Sequence, residues 1–271
     1  MKQLRIGLIG CGVISDIYLQ TCQKFEILNV VACGGLDIEE AKEKANKYNI
    51  AKACSPKEII NDPDIDCILN LTIPAAHAEI SLAALEANKH VYSEKPFATS
   101  IQDGRKILNL AESKKLYVGN APDTFLGGRM QTCIKAIDEG LIGDPTGVSA
   151  FAGHHGVERH HPNPDFYYQP GGGPLLDLGP YYLTAMIALL GPVKRSCGIT
   201  KKTFDKRLIE SQPRNGEFID VEVDTHVCGT LEFRNGAIGS LMMSFDVWDS
   251  QLPRLEVYGT KGTLCIPDPD P

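Results

Sequence analysis

A lysine within the tripeptide Glu94-Lys95-Pro96 lies where an ammonium group could take part in chemistry. The preceding residues, 89–93, include β-branched and aromatic side chains and predict a strand. Because a residue before proline is pushed away from helical backbone angles, Pro96 favours an extended Lys95. Open α/β sheets bind ligands at the carboxyl ends of their strands, so the sequence predicts a ligand beside Lys95.

A carboxylate and a phenol, Asp177 and Tyr181, follow a Gly-Gly-Gly-Pro segment and are four residues apart. Residues at this spacing are neighbours on one face of a helix. Pro180 lies between them and would remove a backbone hydrogen bond from a helix interior. The helix therefore either begins close to Asp177 or is kinked there. Such groups, with a lysine, can carry out the proton transfer that alcohol oxidation requires.

A dinucleotide-binding turn is predicted near the N-terminus, where Gly10-Cys11-Gly12 joins a strand-like run to a helix start. Gly10 permits the tight turn, and Gly12 allows the backbone to approach a pyrophosphate at the helix N-terminus. Ser15, a small residue, takes the place of the third glycine of the usual pattern. The predicted cofactor contacts in this segment are Gly10, Gly12, Val13 and Ile14.

The choice between NAD and NADP depends on the end of the second predicted strand, where an acidic residue usually binds the adenosine ribose. That position is Gly35 here, and Asp37 lies two residues further on. Asp37 is a candidate ribose contact, but it could equally cap the following helix. No arginine lies nearby to hold a 2′-phosphate. The sequence leaves NAD and NADP open, with a slight preference for NAD.

Short apolar runs alternate with amphipathic stretches over the first 120 residues. The predicted strands are 4–9, 28–33, 66–71, 90–93 and 116–119, and the predicted helices are 38–48, 75–87 and 101–113. Such alternation is typical of βαβ units. The sequence thus predicts an α/β protein whose residues 1–120 form a dinucleotide-binding Rossmann domain with a doubly wound parallel sheet.

The pattern changes after residue 120. A helix is predicted at 125–139, a second, apolar helix ends near 190, and strand-like runs follow at 221–233, 236–245 and 254–258. Asn235-Gly236 predicts a hairpin turn. We expect residues 121–271 to form an α+β substrate-binding and oligomerisation domain with a mainly antiparallel sheet, through which a homodimer or homotetramer forms. The ending at 267–271 alternates Pro and Asp, so we expect an incomplete C-terminus.

Composition excludes several classes of protein. The net charge of −7 argues against a nucleic-acid partner, and no apolar run is long enough for a membrane span. The N-terminal residues lead directly into a strand-like run that ends at Gly10, which argues against a signal peptide. The nine cysteines are odd in number and contain no Cys-x-x-Cys pair, which favours reduced thiols and a cytoplasmic location. A small-molecule substrate is the expected partner.

The chain resembles the Gfo/Idh/MocA family of NAD(P)-dependent oxidoreductases over essentially its whole length. The matching motifs are Gly10-Cys11-Gly12, Asn70-x-Thr72-x-Pro74-x-x-His77, Glu94-Lys95-Pro96, and the segment from Gly171 to Gly179 that contains Asp177. The resemblance implies that Lys95 lies beside the nicotinamide. It also implies that Thr72, Pro74, His77 and Glu94 help to form the cofactor cleft.

One position departs from the usual family pattern, because Tyr181 replaces a histidine four residues after the aspartate. Dihydrodiol dehydrogenase-like relatives also carry tyrosine there. A free tyrosine has a pKa of about 10, and a nearby cation such as Lys95 would favour its phenolate. We therefore expect Tyr181 or, alternatively, Lys95 itself to carry the proton, with Asp177 orienting the substrate hydroxyl.

A loop rich in histidine, residues 154–161, precedes the Gly-rich segment. Histidine pairs can bind zinc, but adjacent histidines in an extended segment point to opposite faces, so we predict no metal. The loop is either solvated or in contact with substrate. From its position we select His161 and Tyr167 as candidate substrate contacts.

The resulting hypothesis is an enzyme that transfers a hydride between a nicotinamide and a sugar, a polyol or a related cyclic alcohol. The substrate class is implied by the family resemblance alone. Two alternatives stay open: a non-catalytic NAD(P)-sensing regulatory protein, and a lyase or glycosidase that oxidises its substrate transiently. The presence of Lys95 and Asp177 argues against the first.

Overall fold

Helices cover both faces of a parallel sheet in the first of two units, which ends at Ala121. The structure is a computed structural model and describes residues 3–270. The strands are β1 (Leu4–Ile9), β2 (Leu28–Gly34), β3 (Lys52–Ala53), β4 (Cys67–Asn70), β5 (His90–Ser93) and β6 (Val118–Asn120). The helices are α1 (Ser15–Cys22), α2 (Ile38–Tyr48), α3 (Pro56–Asn61), α4 (His77–Glu86) and α5 (Ile101–Lys114).

The strand order of this sheet, β3-β2-β1-β4-β5-β6, reverses its direction of growth between β1 and β4. Every strand pairs with its neighbours in parallel. One apolar cluster packs α1 and α2 on one face, and a second packs α3, α4 and α5 on the other. This is the doubly wound order in which dinucleotides bind at the reversal point, so the predicted fold class is confirmed.

The second unit begins at Pro122 and contains a six-stranded sheet with helices on one face. Its helices are α6 (Gly128–Asp138), α7 (Pro174–Asp177) and α8 (Gly179–Leu190). Its strands are β7 (Pro145–Gly153), β8 (Val193–Lys201), β9 (Lys206–Leu208), β10 (Phe218–Asp220), β11 (His226–Phe233), β12 (Ile238–Ser244), β13 (Leu255–Gly259) and β14 (Thr263–Ile266).

The order in the large sheet is β14-β13-β7-β12-β11-β8, and β9 pairs with β10 separately. Only β7 and β12 pair in parallel, so the sheet is mainly antiparallel, as predicted. The hairpin predicted at Asn235-Gly236 joins β11 to β12, where Gly236 takes a φ of +93°. Of the helices described, none is both long and apolar enough to span a membrane.

Some elements of this unit escape the sequence pattern. The edge strand β8 is exposed along most of its length and mixes polar with apolar residues. No alternation of polar and apolar side chains therefore identifies it as a strand. The strand predicted over 221–233 begins only at His226. Residues 221–225 instead leave β10, and Val221 donates its backbone N–H to Asp205.

Candidate functional site

The nucleotide turn, residues 10–15, follows β1 at the reversal point of the first sheet. Gly10 has a φ of +107°, and a Cβ there would lie 2.4 Å from the backbone oxygen of Leu71. Its N–H donates to the carbonyl of Gly34 at 2.8 Å. Glycine is required here because the turn packs tightly between the ends of β2 and β4, which leaves no space for a side chain.

The start of α1 has the properties of an anion-binding site. Gly12 is exposed, and a Cβ built on it would meet nothing within 4 Å. No side chain caps the helix, and the N–H groups of Ser15 and Asp16 donate to the backbone carbonyls of Gly12 and Val13. The hydroxyl of Ser15 is buried and donates to the carbonyl of Gly12 at 2.6 Å. A dinucleotide pyrophosphate therefore fits the open backbone around Gly12, with the exposed Val13 and Ile14 beside it.

Asp37 caps the N-terminus of α2, because its side chain accepts hydrogen bonds from the backbone N–H groups of Glu39 and Glu40. The bond from Glu39 measures 2.9 Å. Leu36 beside it is fully exposed. The capping role that the sequence left open is thus present, and a ribose contact by Asp37 stays a prediction.

Buried polar side chains fix the segment that follows β4. The amide of Asn70 donates to the backbone oxygen of His77 at 3.0 Å and to the hydroxyl of Ser81 at 3.2 Å. Its oxygen accepts a 2.7 Å hydrogen bond from the hydroxyl of Thr72. Asn70 therefore ties the turn at Thr72 and Pro74 to the start of α4.

His77 is completely buried and connects two loops at the edge of the sheet. Its Nε2 lies 2.8 Å from the backbone oxygen of Thr72, and its Nδ1 lies 2.7 Å from that of Pro96. Both ring nitrogens are thus committed to backbone groups. These two contacts give His77 a positioning role for the loops after β4 and β5.

The Glu-Lys-Pro segment lies directly after β5, at the same edge of the sheet. One carboxylate oxygen of Glu94 accepts a hydrogen bond from the hydroxyl of Tyr18 at 2.7 Å, and the other accepts one from the backbone N–H of Lys95 at 2.7 Å. The amide of Asn120 donates to the backbone oxygens of Ser93 and Glu94. Lys95 is half-buried and followed by a cis peptide bond to Pro96.

In the second unit, the Gly-rich segment leads into α7, which ends at Asp177. Gly172 packs against backbone, since a Cβ there would lie 2.4 Å from the carbonyl oxygen of Phe166. The helix is interrupted at Leu178 and resumes as α8, with Pro180 in its first turn, where a missing N–H costs little. The interruption explains how the proline between Asp177 and Tyr181 is accommodated.

The aromatic loop, residues 154–168, holds the two predicted substrate contacts close together. The rings of His161 and Tyr167 meet edge to face at 5.3 Å, and Phe166 lies beside both. Burial lowers the pKa of His161, and the negative charge of Asp177 acts in the opposite direction. His161 and Tyr167 therefore belong to the neighbourhood of Asp177 within this unit.

His154 is a candidate that the sequence did not single out. Burial lowers its pKa, while the charge of Asp177 favours its protonated form. Its ring packs on Phe245 at 5.1 Å. The sequence places His154 in a histidine run, where nothing distinguishes it from His155, His160 and His161. Its position at the end of β7 is the signal that distinguishes it.

A buried ionic network anchors the aromatic loop to the rest of the unit. Arg207 is 5% exposed and donates to Glu158 at 2.8 Å, to the backbone oxygen of Phe245 at 2.8 Å and to Asp246. The hydroxyl of Tyr168 also donates to Glu158. Among the residues that the structure describes, no group of three or more metal-ligating side chains is placed to hold a metal ion.

The structure thus assembles the predicted residues in two groups. Gly10, Gly12, Thr72, Pro74, His77, Glu94 and Lys95 follow β1, β4 and β5 at one edge of the first sheet. Asp177, His161 and Tyr167 lie in one region of the second unit, and Tyr181 lies in the first turn of α8 and packs on the core of that unit.

Two family models match the chain. The model described as "Oxidoreductase family, NAD-binding Rossmann fold" matches residues 4–121, and the model described as "GFO/IDH/MocA C-terminal domain" matches residues 130–265. The two matches together cover both units. The second alone covers half of the chain.

Curated relatives align over nearly the whole sequence. Myo-inositol 2-dehydrogenase of Thermotoga maritima is 23% identical over 262 residues, which are 96% of this chain and 74% of that protein. Trans-1,2-dihydrobenzene-1,2-diol dehydrogenase of Bos taurus is 29% identical over 270 residues, or 98% of this chain and 75% of that protein. This chain therefore spans about three-quarters of the length of these relatives.

A solved structure has the same fold. The NAD binding oxidoreductase from Klebsiella pneumoniae superposes with a TM-score of 0.84 at 25% sequence identity. The superposition covers 96% of this chain and 72% of that one.

Proposed function

Because the chain belongs to the Gfo/Idh/MocA family of NAD-binding oxidoreductases, we propose that it transfers a hydride between NAD and a cyclic polyol or sugar-type alcohol. The observation that carries the proposal is the meeting of the nucleotide turn and the Lys95 segment at one edge of the first sheet. Relatives that align over most of the chain are named for the oxidation of a cyclic polyol and a cyclic diol. When bound, the nicotinamide supplies the hydride acceptor.

The first unit would hold the cofactor mainly through backbone. Gly12 and the start of α1 would bind the pyrophosphate, with Gly10, Val13 and Ile14 shaping the turn. Thr72 and Pro74 would line the next part of the cleft, held in place by Asn70 and His77. The segment after β2 supports NAD over NADP, because the acidic Asp37 lies there without a basic neighbour.

Lys95 would place a positive charge beside the reacting carbon. Glu94 orients the segment, since both its carboxylate oxygens are engaged, by Tyr18 and by the Lys95 backbone. Glu94 therefore fixes the backbone from which the ammonium extends. A cation in this position stabilises an alkoxide or a phenolate.

Three side chains would divide the proton chemistry. Tyr181, as a phenolate stabilised by the charge of Lys95, would accept the proton of the substrate hydroxyl as the hydride leaves carbon, and would then be a neutral phenol. Asp177 would accept a hydrogen bond from a substrate hydroxyl and so orient it. His161 and Tyr167 would bind other parts of the substrate from the aromatic loop. Lys95 acting as the base itself is the competing assignment.

The second unit, residues 121–271, would also carry the subunit contact. Its large sheet has helices on one face, while Cys197, Ile199 and Cys228 are exposed on neighbouring strands β8 and β11. An open sheet face of this kind supports a homodimer or homotetramer. Light scattering coupled to size-exclusion chromatography measures the assembly directly, and a monomer at every concentration would contradict this part of the proposal.

A parallel screen tests the proposed function. Myo-inositol, cyclic trans-diols and simple sugars are offered with NAD and, separately, with NADP, and reduced cofactor is followed by absorbance. We expect turnover with at least one cyclic polyol and a preference for NAD. A chain that binds neither cofactor in a thermal-shift assay would overturn the proposal. Tightly held cofactor that does not accumulate in reduced form during turnover would instead indicate transient oxidation.

A further inference from the structure

Two buried cysteines, Cys11 and Cys33, lie under the nucleotide turn. Cys11 is the central residue of the Gly-x-Gly turn and is 2% exposed, and Cys33 is the next-to-last residue of β2 and is fully buried. The N–H of Gly10 donates to the carbonyl of Gly34 at 2.8 Å, so a direct backbone hydrogen bond joins the neighbours of the two cysteines. The backbone geometry therefore holds the two cysteines close together.

The side chains also share one environment. Cys33 is paired in register with Leu8, and Cys11, Leu8 and Cys33 all belong to the apolar cluster between the sheet, α1 and α2. The two thiols are close enough for each to shift the pKa of the other. The thiol of Cys33 donates to the backbone oxygen of Ala41 at 3.4 Å. Both side chains thus lie on the face of the sheet that α1 and α2 cover.

The two thiols differ in acidity in the way that a reactive pair requires. The interaction with Cys11 lowers the pKa of Cys33, burial acts in the opposite direction, and the ammonium of Lys44 adds to the lowering. The interaction with Cys33, together with burial, raises the pKa of Cys11. Cys33 is therefore the thiol that ionises first, and a thiolate is the nucleophilic form of cysteine.

We propose that Cys11 and Cys33 form a reversible disulfide beneath the nucleotide turn, and that this bond weakens dinucleotide binding. The consequence for binding rests on the proposed function, whereas the disulfide itself does not. Hydrogen peroxide is the class of oxidant that fits, because it is small enough to reach a buried pair that lies beside the exposed Gly12 and three residues before the exposed Leu36.

The chemistry proceeds in two balanced steps. The Cys33 thiolate attacks peroxide, a sulfur–oxygen bond forms, the oxygen–oxygen bond breaks, and the departing hydroxide takes up a proton to become water. The Cys11 sulfur then attacks the sulfenic acid, the sulfur–sulfur bond forms, and the oxygen leaves as a second water with the Cys11 proton. Two thiols lose two electrons, and one peroxide becomes two waters. A dithiol reductant reverses the reaction by thiol–disulfide exchange.

The bond would distort the turn because the surrounding backbone has no room to follow. A disulfide holds its sulfur atoms about 2.0 Å apart, much closer than two thiols that are not bonded to each other. Gly10, next to Cys11, packs closely against the backbone of Leu71 and has a positive φ. The turn therefore has little freedom to change its conformation at this residue. We therefore expect the strain to fall on residues 11–13, where the pyrophosphate binds.

The experiment uses the full chain with its three exposed cysteines removed as Cys197→Ser, Cys228→Ser and Cys265→Ser, so that surface oxidation does not interfere. The protein is titrated with hydrogen peroxide, alkylated and digested with trypsin. Cys11 lies in the peptide 6–24 and Cys33 in the peptide 25–42. We expect these two peptides to become cross-linked, with the loss of two hydrogens, and to separate after reduction.

Matched variants identify the bonded pair. Cys22 shares the peptide and the apolar cluster of Cys11, so Cys22→Ser is the control and should retain the cross-link. Cys11→Ser and Cys33→Ser should each abolish it, and Cys33→Ala serves where the serine variant fails to fold by circular dichroism. A cross-link that disappears in Cys22→Ser, or no cross-link in the folded protein, would overturn the proposal.

The effect on binding is measured by NADH fluorescence on the same samples. Oxidation should raise the Kd for NADH by about tenfold or more, a difference of about 1.4 kcal/mol, and reduction should restore it. An unchanged Kd in fully cross-linked protein would overturn the binding half. Cross-linked protein whose reduced form binds no dinucleotide would contradict the proposed function while leaving the disulfide established.

Discussion

The nucleotide turn and the aromatic loop hold functional groups by opposite means. In the turn, backbone atoms do the positioning: Gly10 packs against Leu71, and its N–H bonds to Gly34. In the aromatic loop, buried charged side chains do the positioning, because Arg207 forms ion pairs with Glu158 and Asp246. A site built from backbone tolerates few substitutions at its glycines, whereas a site held by side chains can change its specificity by exchanging loop residues. Positioning by backbone suits a cofactor site that stays the same, and positioning by side chains suits a substrate site that changes.

The largest expected effect is on turnover and concerns Lys95. Lys95→Met removes the cation while keeping a similar chain length, so we expect kcat to fall by about 10³–10⁴-fold, as for the loss of an essential acid–base or charge-stabilising group. NADH affinity, which we assign mainly to the nucleotide turn, should change little. Steady-state kinetics and fluorescence titration measure the two quantities. Lys95→Arg is the control, because it retains the charge and should recover part of the lost rate.

Breaking the ionic network tests the claim that side chains hold the second unit. Arg207→Met leaves Glu158 and Asp246 buried without their cation, which typically costs about 3–5 kcal/mol. Urea unfolding measures the loss. The exposed pair of Arg159 with Glu210 offers a matched comparison, since Arg159→Met should cost about 1 kcal/mol or less. Equal losses in the two variants would contradict the special role of the buried network.

Comparing alanine variants of the two glycines in the nucleotide turn distinguishes backbone strain from loss of cofactor contact. Gly10→Ala places a Cβ against Leu71 at a positive φ, and we expect a loss of about 1–3 kcal/mol in stability together with weaker NADH binding. Gly12→Ala meets open space, so its stability should change by about 0.5 kcal/mol or less while NADH binding still weakens. Thermal unfolding with and without NADH distinguishes them. Unchanged NADH affinity in Gly12→Ala would remove that residue from the site.

The smallest effect concerns pH and the histidines of the aromatic loop. Burial lowers the pKa values of His154 and His161 in the folded state, so the unfolded chain binds more protons once the pH falls below about 6.5. Stability should therefore decrease as the pH falls through this range. Urea unfolding at a series of pH values checks the direction. The double variant His154→Phe, His161→Phe should show a flatter pH dependence than the parent chain.

The sequence predicts the first unit well because the residues that define its elements lie close together in the chain. Gly10, Ser15 and the strand of residues 4–9 lie within one short segment, and the strand bounds match those of β1. The sequence allows Asp37 two roles, and the backbone hydrogen bonds from Glu39 and Glu40 identify it as the N-cap of α2.

The second unit is harder to predict because its important contacts join distant residues. Glu158 and Arg207 form an ion pair although they are 49 residues apart in the sequence, and no local sequence pattern predicts such a pair. The edge strand β8 carries no alternation because both of its faces are largely exposed. His154 acquires its electrostatic relation to Asp177 only through the fold. The catalytic assignments of Lys95, Asp177 and Tyr181 accordingly stay proposals.

The most direct test of the proposed chemistry is the turnover of Tyr181→Phe, measured with the best polyol substrate alongside the Kd for NADH. Phenylalanine keeps the packing of the ring on the core of the second unit and removes only the hydroxyl. We expect kcat to fall by about 10²–10⁴-fold, as for the loss of a general acid–base group, with NADH affinity nearly unchanged. Full turnover in Tyr181→Phe would contradict the proposed mechanism and transfer the proton-carrying role to another group.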